Sequence, residues 1–416
     1  MTAAGAGWYA ADSLRHRRES GHGYDLHGGE LSAADPGFLR AAEALTGAPI
    51  SWGNDIELLI NGDEIFPRYL DTIRSAQRSV CMLTYVYWRG EIAHDVADAL
   101  CERARAGVEC NVLIDAVGGM KLEDGVLERM TDAGVRLVRF RPVKAYALKR
   151  LANRTHRKIL VADGRVGLTG GVGIAEEWTG NCEDPGHWRD THVRVEGPAA
   201  RDLLGGFLDN WAEATQCILS GPDHLPDLDG FDDGVQVQVT RSTAEKGSTD
   251  AEHLFYAAIA CARERVWLTT AYFAPRRAFV EALCEAVGRG VDVCVLTNGP
   301  HIDKQVVRQA GHRIYEHMLE CGVRIFEYQR TMLHAKVMLV DASWATIGSI
   351  NFDNRSFALN DELNLSLRDR GVVAGLEKHF LADLDDALEL ELAAWRARPV
   401  GQRARELASA AVRREL

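Results

Sequence analysis

One sequence pattern occurs twice in this chain, and it constrains the fold more strongly than any other feature. Each copy consists of His-x-Lys, four residues, Asp, six further residues and Gly. The two sets, 178 positions apart, are His156, Lys158, Asp163 and Gly170, and His334, Lys336, Asp341 and Gly348. A chance repeat of so long a pattern is improbable. The chain therefore contains a duplicated unit of about 170–180 residues, which is far longer than the repeats of solenoid proteins.

Neighbouring segments repeat in the same order and predict the architecture of the unit. Residues 97–119 resemble residues 280–300, and in both an Ala-Leu-Cys-Glu helix reaches a glycine and then a Val-rich strand. Helices alternate with strands throughout each copy, which is typical of an α/β sheet covered by helices. We predict two similar α/β domains related by a pseudo-twofold axis, with adjoining sheets flanked by helices and one shared active site at the junction. The predicted divisions are a lead-in (1–47), a first domain (48–220), a linker (221–234), a second domain (235–400) and a C-terminal tail (401–416).

Composition narrows the class of protein. The chain has 416 residues, of which 46% are apolar and 26% charged, as in soluble globular proteins. No apolar run reaches the roughly 18 residues that a membrane span needs, and the N-terminal residues lack the order of a signal peptide. The nine cysteines form no Cys-x-x-Cys pair, which favours buried reduced thiols over disulfides or a metal site. These features predict a cytoplasmic protein. The net charge of −12 argues against a nucleic-acid partner.

The side chains of the repeated motif suit the chemistry of a phosphodiester. Two imidazoles and two ammonium groups in one cleft supply a nucleophile, a proton donor and cations for the phosphate oxygens. One neutral histidine would attack phosphorus and form a phosphohistidine, while the other, protonated, would give its proton to the leaving alcohol. We therefore expect the two environments to push the histidine pKa values apart. The pattern calls for no cofactor, and we expect no metal at this site.

The duplicated His-x-Lys-x4-Asp motif, followed by Gly-Ser-x-Asn, resembles the phospholipase D superfamily. The resemblance extends from about residue 48 to about residue 400. Within the superfamily the sequence is most similar to bacterial cardiolipin synthases, on the segments 46–73, 155–178, 187–200 and 348–365. The resemblance implies a metal-independent phosphatidyltransferase of the peripheral type, without transmembrane helices. The implied reaction makes cardiolipin from two phosphatidylglycerol molecules through a covalent phosphohistidine.

The resemblance also implies roles for individual residues. His156 would be the nucleophile and His334 the general acid, which later acts as the base. The groups implied to bind phosphate are Lys158, Lys336, Ser349, Asn351 and Gly171. Asp190 and Glu362 would each orient one histidine. Asp163 and Asp341 belong to the catalytic motif, where a structural role is expected rather than a transfer of protons.

The first copy has Gly171 in place of the Ser of the family pattern, a replacement familiar in the synthases that the chain resembles, and a second departure matters more. Gly173 stands where the pattern has Asn, the residue that the second copy keeps as Asn351. The phosphate oxygen that this amide would bind needs another donor. We expect a backbone N–H at a helix start within 173–178 to compensate.

A basic stretch precedes the first motif. Eight Lys or Arg residues and no acidic residue lie between 139 and 158. One reading is a solvated loop, and the other is a cationic lip that contacts an anionic lipid surface. The lip residues would be Lys144, Tyr146, Lys149, Arg150 and Arg154.

Other functions remain open from the sequence. The same site could hydrolyse phospholipids, because only the group that resolves the intermediate differs between transfer and hydrolysis. A phosphodiesterase acting on nucleic acid and a lipid-binding protein without activity are further alternatives. The expected partners are phosphatidylglycerol and the membrane surface, with the protein bound peripherally at the inner face of the cell membrane. The sequence leaves the acceptor alcohol, the acyl preference and the oligomeric state undetermined.

Overall fold

The computed structural model describes Tyr24 and residues 31–142, 153–243 and 249–399. A short helix, α1 (Pro36–Thr46), begins with a proline at its first position and ends at Gly47, which adopts a left-handed conformation. It lies within the predicted lead-in. The predicted C-terminal tail (401–416) lies outside the described residues. Among the helices of the described ranges, none combines the length and the apolar character needed to cross a bilayer.

The first half alternates strands and helices as predicted. Its elements are β1 (Ile50–Ile60), α2 (Asn61–Ser75), β2 (Ser79–Thr84), α3 (Glu91–Arg105), β3 (Glu109–Asp115), α4 (Asp124–Asp132), β4 (Arg136–Phe140), β5 (Ile159–Ala162), β6 (Val166–Gly170), β7 (Thr191–Glu196) and α5 (Pro198–Thr215). The strand β5 is buried along its whole length, which explains its unbroken apolar sequence.

The second half repeats this order and adds a few short elements. Its elements are β8 (Val235–Ser242), α6 (Asp250–Cys261), β9 (Arg265–Thr269), β10 (Phe273–Ala274), α7 (Arg277–Gly288), β11 (Asp292–Asn298), α8 (Gln305–Cys321), β12 (Arg324–Tyr328), β13 (Val337–Val340), β14 (Trp344–Gly348), β15 (Phe352–Asp353), α9 (Asn354–Ala358), β16 (Glu362–Arg368), α10 (Arg370–Asp385), β17 (Ala387–Glu389) and α11 (Leu392–Arg396).

The strand order confirms the duplication. In the first half the order is β1-β7-β6-β5-β2-β3-β4, and in the second half the equivalent strands run β8-β16-β14-β13-β9-β11-β12, with β17 added at the edge. Strands β2, β3 and β4 of the first half are parallel to one another, and so are β9, β11 and β12 of the second half. The other neighbouring strands in this order pair antiparallel. Strands β1 and β8 pair antiparallel and join the halves into one sheet of 15 strands across the described residues. An antiparallel junction between equivalent strands is what a pseudo-twofold axis requires.

Three large apolar clusters fill the structure. One cluster packs α2, α3 and α4 on the outer face of the first half, and a second packs α6, α7 and α8 on the outer face of the second half. The third lies between the halves and joins the inner faces of both sets of strands to α5 and α10. Residues such as Val161, Phe207 and Leu339 belong to this shared core. The two halves are therefore packed through a common interior, whereas the limits given above for the domains and linker stay predictions.

The aspartates of the two motifs hold equivalent turns. Asp163 follows β5 and accepts hydrogen bonds from the backbone N–H groups of Gln77, Arg78 and Ser79 at 2.7–2.9 Å. Asp341 follows β13 and accepts from the N–H groups of residues 263–265 at 2.8–3.2 Å. Both aspartates have a φ of 53°, a left-handed conformation that Asp tolerates better than most residues. Each aspartate thus fixes the entry to the neighbouring strand.

This arrangement predicts a loss of stability without a loss of chemistry. Asp163→Ala leaves three backbone donors without their carboxylate, and we expect the free energy of unfolding to fall by about 1.5–3 kcal/mol. Asp163→Asn keeps one acceptor oxygen, and Asn also tolerates the left-handed conformation. The free energy of unfolding should therefore fall less in this variant. Urea unfolding measures the stability of both variants, and Asp71→Ala, at an exposed aspartate, is the control. A large drop in turnover per folded molecule would contradict the structural role.

Candidate active site

The two motif histidines lie at the junction of the halves, each in an irregular segment just before a buried strand. The backbone N–H of His156 donates to the carbonyl oxygen of Asp361 at 2.8 Å, and that of His334 donates to the carbonyl oxygen of Arg189 at 2.7 Å. Asp361 belongs to the second half and Arg189 to the first. The opposite half therefore holds the main chain of each histidine.

A carboxylate of the opposite half also contacts each imidazole. The Nδ1 atom of His156 lies 3.1 Å from Oε2 of Glu362, and the Nδ1 atom of His334 lies 2.9 Å from Oδ2 of Asp190. Both carboxylates are fully buried. A carboxylate at Nδ1 favours a proton there and leaves Nε2 as the reactive nitrogen. The structure thus places Asp190 and Glu362 where an orienting group must be.

The two lysines share the same buried region. Lys158 and Lys336 are each less than 5% exposed, and each ammonium donates to the carbonyl oxygen of the histidine two positions earlier. Burial and the charge of Lys336 lower the pKa of Lys158 to about 7. Burial lowers the pKa of Lys336 to about 8, against the opposing effect of Asp190 and Glu362. Charges from both halves thus act on the same groups, as one shared site requires.

The pKa values of both motif histidines are shifted in the same direction. Burial lowers the pKa of His156 to about 4, although the charge of Glu362 opposes this shift. Burial and the charge of Lys336 lower the pKa of His334 to about 3. Both shifts are downward because both rings are buried beside lysines, and a difference in protonation between the two histidines in the working site stays a prediction. A bound phosphodiester anion would raise both pKa values.

The structure corrects the phosphate-binding role of Ser349 and Gly171. The hydroxyl of Ser349 donates to Glu362, and Ser349 is fully buried. A Cβ atom on Gly171 would lie 2.2 Å from Oδ1 of Asp190, so only glycine leaves room for this carboxylate. Both positions therefore support a carboxylate, and their backbone N–H groups are bonded to β-strand carbonyls.

The motif aspartates, Asp163 and Asp341, lie at the far ends of β5 and β13, away from the histidines.

A tryptophan lies beside the glycine that stands where the first motif lacks asparagine. Gly173 packs on Trp178, whose ring would lie 3.1 Å from a Cβ atom at position 173. The indole Nε1 of Trp178 donates to Oδ2 of Asp190 at 2.9 Å, the same oxygen that contacts His334. The N–H groups of Ile174 and Trp178 bond to the carbonyls of Val86 and Ala175, so these two cannot compensate, and compensation by another N–H within 173–178 stays a prediction. In the second half, Asn351 is buried and its Oδ1 has no hydrogen-bond partner within the described ranges. Phosphate binding by Asn351 stays a prediction.

The proposed basic lip is placed only in part. Lys144, Tyr146, Lys149 and Arg150 lie in 143–152, outside the described residues. Arg154 is 3% exposed and pairs with the buried Asp115 at 2.8 Å, so its assignment to the lip was wrong. A guanidinium with this many donors can satisfy a buried carboxylate and two backbone carbonyls at once.

Several aromatic residues beside the histidines were missed by the sequence analysis. The ring of His334 contacts Trp178 and Trp188 at centroid distances of 5.1 and 5.7 Å. The ring of His156 contacts Tyr85 at 5.3 Å. Comparison of the two motif copies could not identify these residues, because each lies outside the repeated pattern.

The contact between Trp178 and Asp190 predicts a positioning effect. Trp178→Phe keeps the ring against Gly173 but removes the donor to Asp190, and a buried hydrogen bond to a charged group contributes about 1.5–3 kcal/mol. We expect kcat on a phosphodiester substrate to fall by about 10- to 100-fold and the acid limb of the pH profile to move. Trp267→Phe is the matched control, because the indole of Trp267 also bonds a carboxylate, Asp292, outside the site. Equal effects of the two variants would refute the role of Trp178.

Comparison with known proteins places the chain in a family. The family described as "Cardiolipin synthase, PLD-like domain" matches residues 69–184 and 255–384, more than half of the chain. The cardiolipin synthase of Geobacillus sp. (strain WCH70) is 34% identical over 89% of this chain and 74% of its own length. The cardiolipin synthase of Halalkalibacterium halodurans is 35% identical over 87% of this chain and 72% of its own length. The solved structure of the phosphatidylserine synthase from Haemophilus influenzae Rd KW20 shares the fold, with a TM-score of 0.68 and 14% identity over 91% of this chain and all of its own. The chain belongs to the family of cardiolipin synthases with phospholipase D-like domains.

Proposed function

We propose that the protein makes cardiolipin by transferring a phosphatidyl group from one phosphatidylglycerol to the terminal hydroxyl of another. The observation that carries the proposal is the pair of imidazoles at the junction of the halves, each held at Nδ1 by a carboxylate from the opposite half. The relatives named cardiolipin synthase support the choice of lipid. Because substrate and product reside in bilayers, we also propose that the protein binds the inner face of the cell membrane.

The first step forms the intermediate. Nε2 of His156 attacks phosphorus while the bond from phosphorus to the glycerol oxygen breaks. His334, which gains a proton when the anionic substrate raises its pKa, gives that proton to the departing glycerol. The ammonium groups of Lys158 and Lys336 offset the negative charge that grows on the non-bridging oxygens. The products of this step are phosphatidyl-His156 and glycerol.

The second step resolves the intermediate. The terminal hydroxyl of a second phosphatidylglycerol attacks the same phosphorus, and neutral His334 takes the proton of this hydroxyl. The bond from phosphorus to His156 breaks, which releases cardiolipin and restores the free site. Water in place of the lipid hydroxyl would give phosphatidic acid. The choice between transfer and hydrolysis therefore depends on which acceptor reaches His334.

Replacing either histidine tests the shared site. We expect His156→Ala and His334→Ala each to lower turnover of phosphatidylglycerol vesicles by at least about 100-fold with the fold intact, because each removes a group used in both steps. Lipid mass spectrometry follows the products, and peptide mass spectrometry after a neutral quench seeks a phosphatidyl adduct on His156. His94→Ala, at a half-buried histidine 3.9 Å from Glu123, is the control.

The products decide between the functions. Cardiolipin plus glycerol supports transfer, whereas phosphatidic acid plus glycerol indicates hydrolysis. Wild-type protein that forms neither product, or that cleaves DNA instead, would overturn the lipid assignment.

The buried lysines predict a fall in activity at mildly alkaline pH. A lowered pKa means that each ammonium loses its proton earlier than a free lysine does, so kcat/KM should decline from about pH 7 to 8 as Lys158 and then Lys336 become neutral. An acid limb near pH 4 should follow the protonation of His156. The measurement is kcat/KM for phosphatidylglycerol in mixed micelles between pH 4 and 10. Lys158→Arg stays charged and should move the alkaline limb upward, and a profile that is flat to pH 10 would contradict this account.

A further inference from the structure

A cluster of soft ligands lies on the outer helical layer of the second half. Cys284 on α7 and His317 and Cys321 on α8 bring two sulfur atoms and a ring nitrogen within 4.8 Å of one another. His317 and Cys321 are four residues apart on one helix, so both side chains project from the same face. The cysteines are half-buried and His317 is exposed. We propose that these three residues form a binding site for a thiophilic divalent cation of the zinc type.

The donor set and its spacing fit such a cation. Zinc prefers four tetrahedral ligands, with sulfur at about 2.3 Å and nitrogen at about 2.0–2.1 Å, which places neighbouring ligand atoms about 3.3–3.8 Å apart. The ring Nε2 of His317 lies 3.9 Å from Sγ of Cys321, close to this spacing. Small rotations of the partly exposed side chains of Cys284, His317 and Cys321 would bring the three ligand atoms to this spacing. With three ligands from the protein, water would take the fourth position.

The electrostatic surroundings favour a cation over two neutral thiols in contact. The carboxylates of Glu281 and Glu285 act electrostatically on Cys284. The same acidic neighbours attract a divalent cation. Because metal-bound cysteines are thiolates, binding releases one proton from each thiol, and the affinity for the metal should rise with pH.

The duplication provides a comparison within the same molecule. The aligned segments place Cys101, Arg129 and Ala133 of the first half at the positions of Cys284, His317 and Cys321. Only one of the three ligands is present there, and Cys101 instead donates to the carbonyl oxygen of Arg129 at 3.6 Å. The same pair of helices thus carries the ligand set in one half alone, so the fold itself does not require these side chains.

Cobalt is a suitable probe, because tetrahedral thiolate coordination gives it visible and near-ultraviolet absorption. The reduced, metal-free full chain is titrated with CoCl₂ under nitrogen, and we expect one equivalent to produce a sulfur-to-cobalt charge-transfer band that ZnSO₄ abolishes. Cys284→Ser and Cys321→Ser should each remove or halve this band, and His317→Ala should weaken cobalt binding at least 10-fold. Cys101→Ser is the matched control and should bind cobalt like the wild type. Turnover of phosphatidylglycerol, expected to be unchanged, shows that each variant is folded.

Two results would overturn the proposal. One is the absence of a stoichiometric cobalt band in protein whose thiols are shown to be reduced. The other is a band that persists unchanged in Cys284→Ser and Cys321→Ser. A disulfide between these two cysteines in the purified protein, together with no cobalt binding after reduction, would assign the pair to redox chemistry instead.

Discussion

The site depends on contacts that cross from one half of the molecule to the other. Each histidine receives its carboxylate from the opposite half, at 3.1 Å for His156 with Glu362 and 2.9 Å for His334 with Asp190. A backbone hydrogen bond across the same junction fixes each histidine segment. Neither half alone contains an imidazole with its orienting partner. The antiparallel pairing of β1 with β8 and the apolar core between the halves therefore hold the candidate site together, because they bring into contact groups that lie 206 and 144 residues apart in the chain.

The two halves have diverged in how they support these carboxylates. Glu362 receives the hydroxyl of Ser349, whereas the shorter Asp190 lies against Gly171 and receives the indole N–H of Trp178. Each solution gives the carboxylate a donor other than its histidine, and buried carboxylates need such donors to remain ionised. The glycine at 173 belongs to the same environment, since a Cβ atom there would lie 2.7 Å from the side chain of Val86 and 3.1 Å from the ring of Trp178. What the sequence presents as a defective motif is a second way to build the same support.

The sequence predicted the alternation of helices and strands and the paired histidines, because both follow from the repeat. Residues that occur in one copy alone could not be found in this way, and Trp178 is the main example. The basic stretch before the first motif suggested an exposed lip, yet Arg154 is buried on Asp115, since the charge of an arginine does not reveal its partner. The spacing of His317 and Cys321 is visible in the sequence, but the third ligand comes from another helix. Contacts between distant segments depend on the packing of helices, which no local pattern records.

Two lysines and two histidines share a buried site, and burial imposes an electrostatic cost on their charged forms. Burial disfavours both ammonium groups and both imidazolium forms, as the lowered pKa values of all four groups indicate. The carboxylates of Asp190 and Glu362 offset only part of this penalty. In the proposed mechanism a phosphodiester anion would add the missing negative charge, which would stabilise the lysine cations and allow His334 to take up a proton. Under that proposal, charged substrate and charged protein groups would stabilise each other, and the proton for the leaving alcohol would enter the site together with the phosphate.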